Sequence, residues 1–308
     1  MDPIHLETLR AVRDRGGVTA AAHALRITPS AVSQQLKVLG RQAGVPMTER
    51  VGRGVRLTPA GAELADVAVD VAVALRRAES ACERYLARPE GTVRVAAFQS
   101  GAQMLLPGLL RRVSDAGGIR VEASDEDVAQ RDFPALTVDF DVVVAHRPDG
   151  EQPWGSAVDV VPLLREPLDV ALPPGHRLAG RASVSPRDLV DEPWIAVREG
   201  FPVAAVLDEV ALLGGAPARV VQRINDFHVV EALVAAGHGI SLLPRHTADH
   251  RDGARFSLVP LAGVRAGRQV EALLRPDRAQ RLVVRHVLEH LRAEAAAIGG
   301  RAGGDVRA

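Results

Sequence analysis

Residues 28–40, TPSAVSQQLKVLG, constrain what this chain can fold into more than any other stretch. Thr28 suits a helix N-cap, and Pro29 suits the first helical position, where its missing N–H costs nothing. Gly40 reads as the stop. Val32, Leu36 and Leu39 recur at i, i+4, i+7 on one side, while Ser30, Gln34, Lys37 and Arg41 fall on the other. One face is therefore built to be buried, and the opposite face carries hydrogen-bonding groups and two cations. Just upstream, residues 19–25 (TAAAHAL) read as a second, shorter helix, with Arg26 and Ile27 as a tight connection. Helix, short turn, helix with a polar outer face is the helix-turn-helix arrangement, whose second helix enters the major groove. A generic helical hairpin inside a core is the competing reading.

The flanks favour the first reading. Asp2-Pro3 is another cap pair and opens a helix with Ile4, Leu6, Leu9 and Val12 apolar, ending at Gly16-Gly17. Residues 45–50 and 55–58 are short β-capable runs around Gly52-Arg53-Gly54, which reads as a hairpin, hence a wing. Arg50, Arg53 and Arg56 on it are expected along the DNA backbone or the neighbouring minor groove. Residues 1–60 hold nine Lys or Arg against Asp2, Glu7, Asp14 and Glu49, although the whole chain has no net charge. A basic head on an acidic body is the asymmetry of a protein whose N-terminus meets phosphate.

Thr58-Pro59 starts a long helix expected to reach about residue 87, before Pro89 and Gly91. Leu64, Ala68, Val71, Leu75, Ala78, Cys82 and Tyr85 form a heptad seam for about three repeats. Packing of this helix against its own domain is one reading. A two-fold seam is the favoured one, because a DNA reader gains from two half-sites. Across 308 residues, a size that fits two or three domains, no run approaches the roughly 18 apolar residues that span a membrane. The N-terminus lacks the apolar core of a signal peptide, so a cytoplasmic protein is expected. The single cysteine, Cys82, excludes an intrachain disulfide framework and a cysteine-based zinc site.

Beyond Gly91 the pattern changes to β/α alternation. Strands are expected at 92–97, 119–123, 141–145, 158–164, 168–172, 194–197, 219–222, 240–243, 256–261 and 269–274. Helices are expected at 104–112, 203–213, 227–236 and 279–295, with a broken helical stretch at 125–136. Such alternation indicates a parallel-sheet α/β architecture. Two such units joined by crossing strands form a cleft at the strand carboxyl ends, where ligands bind.

Residues 6–61 resemble the N-terminal winged helix-turn-helix of the LysR-type transcriptional regulators. The matching features are Ala21-Ala22, Leu25, Ser30-Ala31-Val32-Ser33, Leu36, Leu39, Gly44, Arg50 and Leu57-Thr58-x-Ala60-Gly61. Two departures stand out: Gly40 replaces the family's usual acid, and Met47-Thr48-Glu49 replaces an apolar-aromatic pair. The resemblance continues to about residue 296 and includes LVAAGHGISLLP at 233–244. It implies a winged helix-turn-helix at 1–58, a dimerising linker helix at 59–88 and a periplasmic-binding-protein-like effector domain at 91–296. That domain would have one lobe at 91–164 with 267–296 and a second at 165–266, followed by a flexible tail at 297–308. DNA contacts are expected from Ser30, Ala31, Ser33, Gln34, Lys37, Arg50 and Arg53. Effector contacts are expected from Gln99, Ser100, Val128, Arg147, Arg198, Phe201, Asp226 and Phe227. Ser100 matches a position where the family commonly has a hydroxyl, and Val128 one where some members carry a second. The partners implied are double-stranded DNA, a small-molecule effector (a carboxylate at family level, an amine also compatible with the nearby acids) and further copies of the chain. No cofactor or metal is implied.

Rival classes find little support. In Gly237-His238-Gly239-Ile240-Ser241 the serine is not centred between glycines, as a nucleophile elbow requires. His246 and His250, with Asp249 between, lack the glutamate of a zinc-protease motif and an evident third ligand. A stand-alone solute-binding protein explains residues 91–296 but not the basic head. The expectation is a DNA-binding regulator without catalytic activity.

Overall fold

A computed structural model describes the chain except residues 53, 86–88, 151–153, 250, 252 and 305–308. The first helix, α1 (Pro3–Arg15), starts where the Asp2 carboxylate accepts the Ile4 N–H at 2.9 Å and ends at Gly16 in the left-handed region. Leu6, Leu9 and Val12 are buried, whereas Ile4 is 60% exposed, so the inward stripe runs at i, i+3, i+6 and misses the first turn. Helix α2 (Val18–Leu25) follows, then the turn through Arg26 at φ 56°, then α3 (Pro29–Ala43). Thr28 caps α3 by accepting the Ala31 N–H at 3.1 Å. The helix does not stop at Gly40 but runs on to Ala43, with Gly44 at φ 74° as its C-cap. Gly40 serves close approach instead: a Cβ there would sit 3.1 Å from the Val45 carbonyl oxygen, where the chain folds back toward the wing.

That wing is an antiparallel hairpin of β1 (Thr48–Val51) and β2 (Gly54–Leu57). Thr58 joins it to α4 (Pro59–Tyr85): its hydroxyl donates to the Pro46 carbonyl at 2.7 Å and accepts the Gly61 N–H at 3.0 Å. Leu64, Ala65, Ala68 and Val71 of α4 join Leu6, Leu9, Val12, Val32, Leu36 and Leu39 in one core. The expected heptad seam is therefore divided. Its first half packs inside its own domain, while Leu75 and Cys82, together with Val67, are exposed.

The compact unit built on these elements comprises Met1–Pro89 and also Arg275–Arg285. That late segment is tied in by ion pairs. Arg10, 6% exposed, donates to Asp277 at 2.9 Å, and Arg275 donates to Asp14 at 2.7 Å.

The second unit comprises Glu90–Leu274 and the chain from His286 onward. Strand β3 (Gly91–Ala97) leads into α5 (Gln99–Ala116), which starts five residues earlier than the sequence pattern indicates. Strand β4 (Ile119–Asp125), a 3-10 turn with the short α6 (Phe133–Leu136), and β5 (Val142–Pro148) complete the first lobe's parallel part. Strand β6 (Asp159–Leu172) is one 14-residue element where two strands were expected. Its pairing with β11 (Gly267–Leu274) shifts register between Val270 and Glu271, opposite Pro162, which has no N–H to give.

The second lobe holds β7 (Pro193–Ala196), α7 (Pro202–Gly214), β8 (Arg219–Arg223), α8 (Phe227–Ala235), β9 (Ser241–Pro244) and β10 (Ser257–Pro260). Sheet order is β10-β6-β11-β5-β3-β4 with β9 also on β6, and β7-β8 form a separate parallel pair. Among the strand pairings of the described residues, β3-β4, β3-β5 and β7-β8 are parallel, and every pairing made by β6 and β11 is antiparallel. The sheet is thus mixed rather than parallel, because the two crossing strands run against their neighbours. The first nine residues of β6 pair with β11, and its last five pair with β9 and β10, so this strand passes from one lobe into the other. The final helix, α9 (Leu282–Gly304), continues nine residues past its expected end at 295, into the segment expected to be a flexible tail. Within the second unit, Arg112 of α5 pairs with the buried Glu294 of α9 at 2.9 Å.

Candidate functional site

Burial of Val32, Leu36 and Leu39, each at most 3% exposed, fixes the rotation of α3 and leaves Ser30, Gln34, Lys37 and Arg41 facing outward. Gln34, Lys37, Arg41 and Arg50 have no hydrogen-bond or ion-pair partner among the described residues, so their donors are free for a ligand. Ser33 is half-buried, and its hydroxyl donates to the Pro29 carbonyl at 3.0 Å. The Ser30 hydroxyl lies 2.9 Å from that of Thr28, and Ala31 is half-buried behind them. On the wing Arg50 is exposed, Arg56 pairs with Glu49 at 2.9 Å, and Arg53 lies outside the described residues. An exposed polar helix face beside a cationic hairpin, both held by one apolar core, is shaped to enter a groove while the hairpin meets backbone phosphate.

A second constellation lies between the lobes of the other unit, in a cavity of about 370 Å³, part of it open to solvent. It sits beyond the carboxyl ends of the parallel strands, as ligand sites of α/β sheets do. Phe98, Gln99 and Ser100 follow β3, Asp127 follows β4, and His146 is on β5. Val197 follows β7, Asn225 follows β8, and Phe201, Val203 and Phe227 belong to the starts of α7 and α8. Arg268 comes from β11.

Arg268 is the hub. It is 2% exposed and lies against Glu166, itself fully buried, at 2.6 Å. Its Nη2 also donates to the Ser100 hydroxyl at 2.7 Å. The guanidinium carbon stands 4.7 Å from the Phe98 ring centre and 5.9 Å from that of Phe227, one ring from each lobe. Gly101 makes room for this: a Cβ there would fall within 2.6–2.9 Å of the Phe98 ring. The His146 ring packs 4.3 Å from Phe98, and its buried Nδ1 has no partner. Burial, and then the charge of Arg268, hold His146 well below the ordinary histidine range, so the ring is neutral. Burial pushes the Asp127 carboxyl up, against the charge of Arg198, and Asp226 and Asp125 push it further.

Of the expected effector residues, Gln99, Ser100, Phe201 and Phe227 line this cavity. Arg198 stands beside it: its N–H donates to the Asn225 side chain at 2.9 Å and its charge acts on Asp127. Asp226 caps α8, accepting the His228 N–H at 2.9 Å. Val128 and Arg147 are not brought to the cavity. Alternation along β5 sends His146 in and Arg147 out, where Glu271 holds the Arg147 guanidinium by two bonds of 2.9 Å. Val128 is half-buried in the loop before the 3-10 turn, one residue past the Asp127 that does line the cavity.

The sequence reading missed Phe98, His146 and Arg268. A signal existed for Arg268, because it and Glu271 are the charged residues of a strand whose second half is mostly apolar, but its partner Glu166 is 102 positions away. The rival motifs find other roles. Ser241 is buried with its hydroxyl donating to the Ile195 carbonyl at 2.7 Å, and the Asp249 carboxylate lies 3.5 Å from Arg251 and from Arg255. His250 lies outside the described residues.

Comparison with known proteins covers both parts of the chain. Residues 4–62 match the family described as bacterial regulatory helix-turn-helix protein, lysR family, and residues 86–296 match the LysR substrate binding domain. The transcriptional regulator CbbR of Xanthobacter flavus is 28% identical over 270 residues, covering 85% of this chain and 79% of that one. Among solved structures, a full-length OxyR variant from Pseudomonas aeruginosa has the same fold, with TM-score 0.63 at 20% identity over 95% of this chain and 98% of the other. HinK, a LysR family transcriptional regulator from Pseudomonas aeruginosa, aligns with TM-score 0.58 at 25% identity, covering 96% and 98%. No helix among the described residues is long and apolar enough to cross a membrane. A winged helix-turn-helix in one matched segment and a two-lobed domain with a cleft at its strand ends in the other, joined by the long α4, make this chain a member of the LysR family of bacterial transcriptional regulators.

Proposed function

We propose that the chain reads a promoter or operator with the outer face of α3 and adjusts that binding to a small effector held between its two lobes. Ser30, Ala31, Ser33 and Gln34 face or flank base edges, Lys37 reaches phosphate or a guanine edge, and Arg50 and Arg53 follow the backbone. Two heads join through the exposed part of α4, where Val67 and Leu75 are 54% and 45% exposed. The chain acts in the cytoplasm, by binding rather than by turnover.

One observation carries this reading: Gln34, Lys37, Arg41 and Arg50 are free and outward on a rigid, apolar-cored head. A stand-alone solute-binding protein has no use for such a face. Footprinting of the full-length protein on the region upstream of its own gene and of the divergent neighbour tests the reading. A protected site with dyad symmetry, its half-sites about one or two helical turns apart, is expected. Uniform, sequence-independent protection contradicts it.

A further inference from the structure

The cavity walls carry a charge pattern more specific than the family assignment requires. On the first lobe, α5 begins at Gln99 with no side-chain cap, so the first-turn N–H groups of Gln99, Ser100 and Gly101 are without intrahelical partners. Ser100 accepts from Arg268, which leaves its own proton free to donate. The hydrogen bonds of the deeply buried Arg268 engage Nε and Nη2, leaving Nη1 as a further donor at the cavity. These are donors for an anion. With Glu166 at 2.6 Å, however, Arg268 brings direction and almost no net charge.

The other charge at the cavity is negative. Asp127 lines it without an ion-pair partner among the described residues, close enough to Asp125 and Asp226 to feel both, with Arg198 as the opposing cation. His146 is neutral and leaves that balance unchanged. A ligand with only a carboxylate would satisfy the α5 end but meet the field of Asp127. A ligand with only an ammonium would satisfy Asp127 and leave the donors at Ser100 and Arg268 unfilled. Across from both, Val197, Phe201, Val203 and Phe227 offer an apolar wall.

We infer that the cavity takes a small zwitterion with an apolar body, an α-amino acid or a compound of the same chemistry, its carboxylate at Ser100 and the start of α5 and its ammonium at Asp127. This rests on the cavity being the effector site. Calorimetric titration of the full-length protein with three matched probes tests it: L-leucine, 4-methylpentanoate (no ammonium) and 3-methylbutylamine (no carboxylate). Leucine should bind at least about tenfold more tightly than either partner compound. Asp127→Asn, a change at an exposed side chain, should remove the advantage of leucine over the acid and leave binding of the acid no weaker. Acid or amine binding as tightly as leucine overturns the zwitterion assignment, as does failure of all three at millimolar concentration. Binding of any probe that is unchanged in both Asp127→Asn and Ser100→Ala places the ligand elsewhere and overturns the reading of the cavity itself.

Discussion

The outward face of α3 and the cavity between the lobes, the two proposed recognition sites, are built in opposite ways. On α3 the polar groups Ser30, Gln34, Lys37 and Arg41 are exposed, and what holds them is mainly apolar: Val32, Leu36 and Leu39 sit in the core of the head. In the cavity the polar groups are inside, and they hold one another: Arg268 is gripped by Glu166, Ser100 and two phenyl rings. The first arrangement keeps its donors solvated until DNA arrives, so substitutions there alter recognition and spare the fold. The second ties recognition to folding, because the groups that shape the cavity are buried charges whose partners cannot be removed singly at low cost.

The largest expected effect follows from that contrast. Glu166→Ala strips the partner from a buried guanidinium and should cost the second unit about 3–5 kcal/mol, read as a lower denaturation midpoint for that unit with the head unaffected. An effect within about 0.5 kcal/mol, the range of an ordinary surface substitution, would break the distinction between the two regions. Next comes the seam. Leu75→Asp, at a position outside the head core, should yield monomers in sedimentation while leaving the head folded. The same change at Val71 is the less informative test, since Val71 packs against that core. An unchanged oligomer with Asp at 75 assigns subunit contacts to other surfaces.

Acidification should separate the regions too. His146 is held neutral in the folded protein, and its unfolded value is the ordinary one near 6.5. Above that value the group has no effect on stability. As pH falls through it, the unfolded chain binds a proton that the folded chain does not, so stability declines by up to about 1.4 kcal/mol per pH unit. Wild type should lose more stability than His146→Gln between about pH 7 and about pH 5; equal losses would mean that the ring is protonated in place.

How much was legible in the sequence follows the same division. The caps at Asp2 and Thr28, the buried stripe of α3 and the wing were readable because each depends on residues within about two helical turns. Gly40 was misread as a stop, since the carbonyl it makes room for, that of Val45, belongs to a later turn of chain. Ser100, expected from the family resemblance, does line the cavity, but Arg268, which bonds it from 168 positions away, was not foreseen. Arg147 illustrates the remaining difficulty: a strand's alternation is visible, yet which parity faces the cavity depends on its neighbours. The tie between Arg10 and Asp277, 267 positions apart, left no local trace.

The central claim is that α3 reads bases while the wing supplies charge. Binding of wild type, Gln34→Ala and Arg50→Ala to the footprinted site and to random DNA, across a salt series, tests it most directly. Gln34→Ala should lose about 1–3 kcal/mol on the specific site and almost nothing on random DNA. Arg50→Ala should weaken both and reduce the salt slope by about one. A Gln34→Ala protein whose specific-to-random ratio equals that of wild type would contradict the claim and assign base reading to another part of the head.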